Sequence, residues 1–410
     1  MMLGRIRSTT LMAVALALLA TVAAGCGSST SDSSSSGSSG SGAASSSTSD
    51  AGSVDCSSPA GAKGPGTGAT TLGFIYVGST TDFGYNEAAH AGAEAIGKAC
   101  PKLKIIEADT VPETSDMSRA AEQMIGQGAK VIFSTSYGYK DFAVALAKKH
   151  PDVAVLQQGN FMKPPIPANA NTYFGNVFET VYLAGIAAGK ATKTNKLGFV
   201  AAFPIPQTLL NVNAFELGAK SVNPDVETYT VFTGNWCDPG KQADAARSLL
   251  AEKADVLTQH QDCTGTIIKA AEAKGAYSVG YHFDASSLAP KGWLTGSEWD
   301  WGPLYGAMLT SIADGKFSTS PFHANYSLGF ADKTVGSPMK LAKYGPAVDA
   351  ATQALVDKAK AKILGGWSPF TGPVVDQSGK TQVAKGAAAT AEQISTMGYL
   401  VKGVVGSIPK

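Results

Sequence analysis

From residue 71 onward, short apolar and β-branched runs alternate along the chain with longer, alanine-rich amphipathic segments. The short runs predict β-strands at 71–77, 103–107, 130–135, 153–157, 196–201, 227–232, 255–259 and 277–281. The longer segments predict helices at 85–99, 116–127, 140–149, 178–191, 207–221, 239–252 and 264–274. Strands alternating with helices of this length predict an α/β fold, with a mostly parallel sheet covered by helices on both faces.

The strand–helix series runs twice, with a Pro/Asn-rich crossing at Lys163–Asn171 between the two halves. We therefore predict two doubly wound lobes, lobe I at 70–165 and lobe II at 166–290. Residues 291–330 are expected to return to lobe I. The C-terminal part is expected to wrap both lobes, with part of 331–410 in lobe II. Such lobes place a cleft at the carboxyl ends of the strands, and hinge closure of that cleft is the expected motion.

The N-terminus carries an export pattern. Arg5 and Arg7 precede a short apolar run that ends in small residues and Cys26. The pattern resembles the bacterial lipobox, in which the cysteine is lipidated, for example with palmitate, after the signal peptide is removed. We predict a signal peptide at 1–25 and a lipidated Cys26 with a flexible Ser/Gly-rich linker at 26–69. An ordinary signal peptide with a chance cysteine, or an uncleaved anchor, remains the alternative.

Composition narrows the class of function. The 410-residue chain has a formal net charge of +1, and only 16% of its residues are charged, so no nucleic-acid-binding surface is indicated. Beyond the N-terminal segment there is no second long apolar run. We therefore expect a protein held on the extracytoplasmic face of the cell membrane by its lipid alone. Such a location argues against ATP-driven or nicotinamide chemistry.

Four cysteines remain once Cys26 is assigned to the lipid, an even number in an oxidising compartment. We predict the disulfides Cys56–Cys100 and Cys237–Cys263, the first at the end of the first helix and the second joining two loops beside the cleft. Four free, buried thiols are the alternative. A zinc site is disfavoured because no Cys-x-x-Cys spacing occurs.

Several stretches together resemble the basic membrane protein family of ABC-transporter solute-binding lipoproteins, a group that includes purine nucleoside receptors. The stretches are Gly73-Phe-Ile-Tyr, Asp82-Phe-Gly-Tyr-Asn86, Glu179 with Tyr182-Leu-Ala-Gly185, Lys196-Leu-Gly-Phe-Val200, Trp236-Cys-Asp-Pro239 and Met397 to Gly406. The resemblance implies the two-lobed type I periplasmic-binding-protein fold. It also implies a small purine ligand, an ABC permease as partner, a monomer, and no catalysis or cofactor.

The family holds a purine between two aromatic rings, which match Tyr85 and Trp236 in this chain. A base held between two rings gains about 1–3 kcal/mol per stacked face. Nucleoside-binding members also carry an Asp and a Lys that reach the ribose. These positions fall near Tyr76-Val77 and at Trp299 here, so both charges are missing. These departures from the family pattern lead us to expect a free base such as adenine, with Trp299 in the place of the ribose; a nucleoside ligand is the alternative.

Polar groups for the edge of the base are expected at the ends of late strands and in lobe I: His260, Asp262, His282, Asp284, Asn86 and Asp141. Three of them have structural alternatives. Asp262 and Asp141 would each cap a nearby helix, and Asn86 would contact only backbone.

Without the resemblance, the His260-x-Asp262 and His282-x-Asp284 pairs could be metal ligands, completed by Glu298 or Asp300. The chain would then be a metal-binding lipoprotein or a metallohydrolase. Only five histidines occur in the chain, which disfavours this alternative.

Overall fold

The computed structural model describes residues 56–159, 161–333 and 335–409. The expected signal peptide, Cys26 and the linker up to residue 55 lie outside these ranges. Residues 56–69 were expected to be linker but pack on lobe I: Cys56 is disulfide-bonded to Cys100, and the Gly66 N–H donates to the Asp152 carbonyl at 2.8 Å. Within the described residues, no helix is both long enough and apolar enough to cross a bilayer.

The strands are β1 (Thr71–Tyr76), β2 (Lys104–Ala108), β3 (Val131–Thr135), β4 (Ala154–Gln158), β5 (Ala170–Gly175), β6 (Lys196–Ala201), β7 (Glu227–Phe232), β8 (Val256–His260), β9 (Tyr277–His282), β10 (Trp293–Trp299), β11 (Ala324–Leu328), β12 (Met339–Leu341), β13 (Val374–Val375), β14 (Thr381–Val383) and β15 (Val404–Val405). The helices are α1 (Tyr85–Ala99), α2 (Ser115–Gly126), α3 (Lys140–Lys149), α4 (Phe178–Ala191), α5 (Pro206–Lys220), α6 (Pro239–Ala251), α7 (Gly265–Ala273), α8 (Gly302–Ala313), α9 (Ala350–Leu364) and α10 (Ala391–Ser395). Every strand and helix predicted between residues 71 and 281 is present, with ends within about two residues.

The first sheet has the strand order β11-β5-β4-β3-β1-β2, and all of its neighbouring strands are parallel. Alternate residues of β1 point to opposite faces. Phe74 packs with α1 and α8 residues on one face, while Ile75 packs with the Met117 side of α2 on the other. Because both faces are covered by helices, the whole of β1 is apolar apart from its first residue.

The second sheet has the order β12-β10-β9-β8-β6-β7-β15, with only the β10–β12 pair antiparallel among its described neighbours. Helix α6 begins as its sequence predicts, since the Asp238 carboxylate accepts from the Lys241 N–H at 3.0 Å and Pro239 follows it. The apolar stripe Ala245, Ala246 and Leu249 then packs on Val200 and Leu257 of the sheet. The two sheets confirm the predicted α/β class.

Two strands lie in a different sheet from the one expected. β5, inside the range 166–290 expected for lobe II, pairs with β4 in the first sheet. β10, inside the range 291–330 expected to return to lobe I, pairs with β9 in the second sheet. The chain therefore first changes lobe at 176–177, because the Pro-rich segment turns back within lobe I. It returns at 300–301, after which α8 packs against α1 and β11 joins β5.

The C-terminal segment packs on lobe II. Helix α9 lies against α4, α10 lies against α5, and β15 pairs with β7. Between them, β13 and β14 form a small antiparallel hairpin. These contacts add a strand and two helices to the second lobe.

Candidate functional site

A small cavity of about 20 Å³ lies between the two lobes, at the carboxyl ends of the parallel strands. Each lobe supplies half of the described lining: Tyr85, Ser136, Tyr137, Gly159 and Phe174 from lobe I, and Gln207, Trp236, His260, Asp262 and His282 from lobe II. The volume is far below the roughly 300–1,000 Å³ of typical small-molecule sites. A purine-sized ligand therefore enters only when the lobes separate.

Tyr85, the first residue of α1, lies directly at the contact between the lobes. Its backbone N–H donates to the Asp262 carbonyl across the cleft at 3.0 Å, and its ring meets the His282 ring edge-on at 5.0 Å. The neighbouring Gly84 permits this approach, since a Cβ there would lie 1.7 Å from the Asp262 carbonyl oxygen. Glycine at position 84 is thus required for the lobes to meet in this arrangement.

The turn before α1 is held by Asp82 and Asn86. The buried Asp82 carboxylate accepts from the backbone N–H groups of Gly84, Asn86 and Glu87 and from the Asn86 side chain at 2.7 Å. The Asn86 amide oxygen in turn accepts from the Gly78 N–H at 3.1 Å. Burial nevertheless raises the pKa of Asp82 to about 6. Asn86 therefore supports the turn that presents Tyr85, and it does not line the cavity.

Trp236 approaches from the loop after β7, which the Cys237–Cys263 disulfide joins to the loop after β8. The structure thus contains both cysteine pairings expected from the sequence. The Trp236 indole N–H donates to Glu113 of lobe I at 3.2 Å. Glu113 also accepts from the Ser136 hydroxyl at 2.5 Å and the Gly138 N–H at 2.7 Å. This carboxylate is therefore fixed in one lobe and hydrogen-bonded to the other.

His260 and His282 end neighbouring strands, and both are almost fully buried. Burial lowers the pKa of His260 to about 3, and burial together with nearby His260 lowers the pKa of His282 well below its usual value. Both rings are therefore neutral at physiological pH. His282 adopts a left-handed backbone conformation with φ of 73°, which is uncommon for residues other than glycine.

Asp262 follows β8 and is 5% exposed. Burial first, and then the nearby Asp82 and Glu113 carboxylates, raises its pKa well above the usual value. The proposed alternative role as a helix cap is not seen, because Thr264 is the N-cap of α7 and makes no side-chain cap bond. Asp262 instead lines the cavity beside His282.

The other predicted site residues lie elsewhere. Asp141 is 88% exposed at its side chain, in the first turn of α3, with Lys140 3.5 Å away. Asp284 accepts from the Ser286 N–H at 2.9 Å, as expected of a turn residue. Asp300 forms an ion pair with Lys340. Burial and nearby Asp284 raise the pKa of Glu298, which is not among the cavity residues.

Trp299 lies one layer behind the cavity wall. It is buried, stacks on Trp301 with ring centroids 4.4 Å apart, and donates its indole N–H to His282 Nδ1 at 2.8 Å. It was expected to occupy the space of a ribose, but here it supports a residue that lines the cavity. Within the described ranges, no three His, Cys, Asp or Glu residues form a set that could hold a metal ion, so the metal-site alternative has no ligand set there.

A wider groove of about 780 Å³ adjoins the cavity and shares Tyr137, Phe174 and Gln207 with it. It runs past the first crossing between the lobes towards α10. Gln207 donates to the Gly159 carbonyl across the cleft at 2.5 Å, between the cavity and the groove. This contact therefore closes that side of the cavity.

The sequence of residues 69–365 matches the family described as ABC transporter substrate-binding protein, PnrA-like, or Bmp. The chain belongs to this family. The match confirms the resemblance to basic membrane proteins and covers both lobes. The Bmp family is one of binding proteins, which agrees with the expectation that the chain has no catalytic role.

Two curated relatives are similar over most of their length. A purine-binding protein of Brucella abortus (strain 2308) is 32% identical over 344 residues, 83% of this chain and 94% of the relative. A putative ABC transporter glucose-binding protein of Haloferax volcanii is 31% identical over 302 residues, 73% of this chain and 74% of the relative. Among solved structures, an ABC transporter solute-binding protein of Aeropyrum pernix K1 superposes with a TM-score of 0.63 at 16% identity. The superposition covers 72% of this chain and 91% of that one. Such solute-binding neighbours confirm the type I fold.

Several cavity residues of this Bmp-family chain were not predicted. Ser136, Tyr137 and Gly159 directly follow β3 and β4, so their places at strand ends could have revealed them. Glu113 gave no such signal, because it lies in a loop and its partner Trp236 comes from the other lobe. Only the packing of the lobes shows this contact.

Proposed function

We propose that this chain binds a purine, preferably a free base such as adenine, in the cleft between its lobes and delivers it to an ABC permease. The observation that carries the proposal is the pair Tyr85 and Trp236, which come from opposite lobes and line one cavity. The Brucella relative, named as purine-binding, supports the ligand class. The proposed mechanism is stacking of the base, closure of the lobes, and recognition of the closed form by the permease.

The chemistry of the lining favours an uncharged heterocycle. None of the described cavity residues is Lys or Arg, and both histidines are held neutral by burial. A phosphate group would therefore find no cation, and the Asp262 carboxyl would lie close to it. The Asp and Lys of nucleoside-binding members are absent at the matching positions, near Tyr76-Val77 and at Trp299. Their absence supports a base over a nucleoside, although Trp299 itself lies behind His282 and does not fill the ribose place.

Calorimetric titration tests this proposal. The purified protein, refolded from denaturant to remove any co-purified ligand, is titrated with adenine, guanine, hypoxanthine, xanthine and the matching nucleosides. Glucose and Zn²⁺ serve as tests of the relative's named ligand and of the metal alternative. We expect one base to bind at least about tenfold more tightly than its nucleoside. Equal or tighter nucleoside binding would overturn the base preference, and tight binding of glucose or Zn²⁺ alone would overturn the purine proposal.

We also propose that the chain is a monomeric lipoprotein held to the membrane through Cys26. The basic and apolar pattern that ends at this cysteine supports the proposal. In cells expressing the chain, the protein should fractionate with membranes and carry a lipid on its first mature residue by mass spectrometry. Cys26→Ser should move it to the soluble fraction, whereas unchanged membrane association would contradict a lipid anchor.

A further inference from the structure

The neighbouring Trp299 determines which ring nitrogen of His282 carries the hydrogen. An indole N–H can only donate, and it lies 2.8 Å from His282 Nδ1, so Nδ1 is an acceptor. A neutral imidazole with an acceptor at Nδ1 carries its hydrogen on Nε2. His282 therefore presents an N–H donor at Nε2.

That donor has no partner within the described part of the chain. His282 is 1% exposed, its Nε2 is buried without a hydrogen bond, and the residue lines the cavity between the lobes. A buried N–H without an acceptor is costly, so polar atoms in such places are normally paired. The arrangement therefore calls for an acceptor on whatever occupies the cavity.

The packing around Trp299 and the strand pairing of His282 fix the orientation of the Nε2–H donor. Trp299 is stacked on Trp301 and packed against Phe174, whose ring centroid lies 5.1 Å from its own. The backbone of His282 is paired with Glu298 of β10, the strand that also carries Trp299. His260 offers a useful contrast, because its Nδ1 contacts the Asn211 side-chain amide, a group that can donate or accept after rotation.

We infer that Trp299 is a positioning residue that fixes His282 as a hydrogen-bond donor, and that this donor selects purines with an unprotonated ring nitrogen facing it. The inference rests on the proposed purine binding and adds a specificity determinant to it. Trp299 then acts on ligand choice without touching the ligand.

Nuclear magnetic resonance of protein labelled with ¹⁵N-histidine tests, without any purine, whether Trp299 fixes His282 as a hydrogen-bond donor. We expect His282 to carry its hydrogen on Nε2, with Nδ1 unprotonated. Trp299→Phe keeps an aromatic ring but removes the N–H, and should convert the His282 signals to a mixture of tautomers. The matched control is Trp301→Phe, which removes an adjacent buried indole N–H that has no partner among the described residues. Hydrogen on Nδ1 in the unaltered protein, or no change in Trp299→Phe, would overturn the positioning role.

Titration with adenine and its 1-, 3- and 7-deaza analogues tests whether the His282 donor selects purines by an unprotonated ring nitrogen. One analogue should bind at least about tenfold more weakly than adenine, because its C–H would face the His282 donor. In Trp299→Phe the affinities for adenine and for this analogue should become nearly equal, and in Trp301→Phe the difference between them should remain. Equal binding of all analogues, or full discrimination in Trp299→Phe, would overturn the inference. If adenine itself fails to bind the unaltered protein, the proposed function fails, and the tautomer measurement still decides the positioning role.

Discussion

On the first-lobe face of the cleft, the Asp82 and Glu113 carboxylates are hydrogen-bonded within their own lobe. On the second-lobe face, the His282 ring keeps an N–H that no described residue accepts. The first face is thus a prearranged framework that meets the other lobe through the Tyr85 N–H and Glu113. Among the described residues that line the cavity, the second face supplies the buried side-chain atom without a partner, His282 Nε2. The difference places contacts that hold the lobes together on the first face and a hydrogen-bond donor that faces the cavity on the second.

The largest effect on ligand binding should come from Gly84→Ala, which disturbs the contact between the first-lobe face of the cleft and Asp262. The added Cβ would overlap the Asp262 carbonyl oxygen, at 1.7 Å, so the lobes could not meet as they do. We expect ligand affinity to fall by about 100-fold, and small-angle X-ray scattering to show an open form even with ligand. Gly126→Ala is the control, since a Cβ there meets nothing within 4 Å. Wild-type affinity in Gly84→Ala would show that closure does not depend on this contact.

Replacing the ring on the second-lobe face should have the next largest effect. Trp236→Ala removes a stacking surface and should weaken base binding by about 10–100-fold in calorimetry. Trp236→Phe should lose less, because it keeps an aromatic face. Trp367, which packs edge-on against Tyr182, provides a control tryptophan outside the cavity lining. Unchanged affinity in Trp236→Ala would remove this ring from the binding site.

A smaller effect is expected from the contact that joins the two faces. Glu113→Ala removes the acceptor of the Trp236 N–H and should weaken binding by about tenfold. This is the lower end of the net energy of a hydrogen bond to a charged group, because the bond is long at 3.2 Å. Glu113→Gln retains an oxygen acceptor and should recover part of the loss. The same titration measures both variants. If Glu113→Ala binds like the unaltered protein, the contact makes no contribution to closure.

The smallest effect on binding is expected from Glu216, a buried carboxyl of lobe II away from both faces. Burial raises its pKa from 4.5 to about 7, although the Thr228 hydroxyl and Lys220 oppose the shift. The folded state therefore binds this proton more tightly than the unfolded state. The resulting stabilisation is complete below about pH 4.5 and is lost as the pH rises through 7. Relative to the unaltered protein, Glu216→Gln should be more stable at pH 8 than at pH 5, by roughly 1–3 kcal/mol.

Urea unfolding at several pH values measures this difference, and ligand titration serves as the control. Parallel stability profiles for the two proteins would show that Glu216 does not titrate between pH 4.5 and 7. A large loss of ligand affinity in Glu216→Gln would show that the recognition face extends into the lobe interior.

Apart from β5, the sequence predicted the helices and strands of residues 71–281 well because apolar periodicity and helix caps are local signals. It predicted no strand at β5 or β10 and placed their residues in the wrong lobe ranges. Both strands carry polar residues, such as Asn171 and Ser297, and their sheet membership depends on long-range pairing. Tyr85, Trp236, His260, Asp262 and His282 were predicted as site residues, and all five line one cavity.

The remaining features of the site depend on contacts between distant residues. Asp141 was predicted as a polar group that lobe I contributes to the site, but its side chain is exposed in the first turn of α3. Trp299 was placed in the site by resemblance, and only the fold shows that His282 stands between it and the cavity. Glu113 could not be recognised, since its role depends on the approach of the second lobe. The identity of the ligand is still a prediction.

The most direct test of the account is the electron density of the protein crystallised with adenine. We expect the base between the Tyr85 and Trp236 rings, with an unprotonated ring nitrogen within hydrogen-bonding distance of His282 Nε2 and the lobes closed through Glu113. Adenine bound in the wider groove beside Phe161 and Ile394, or stacked on neither ring, would contradict it.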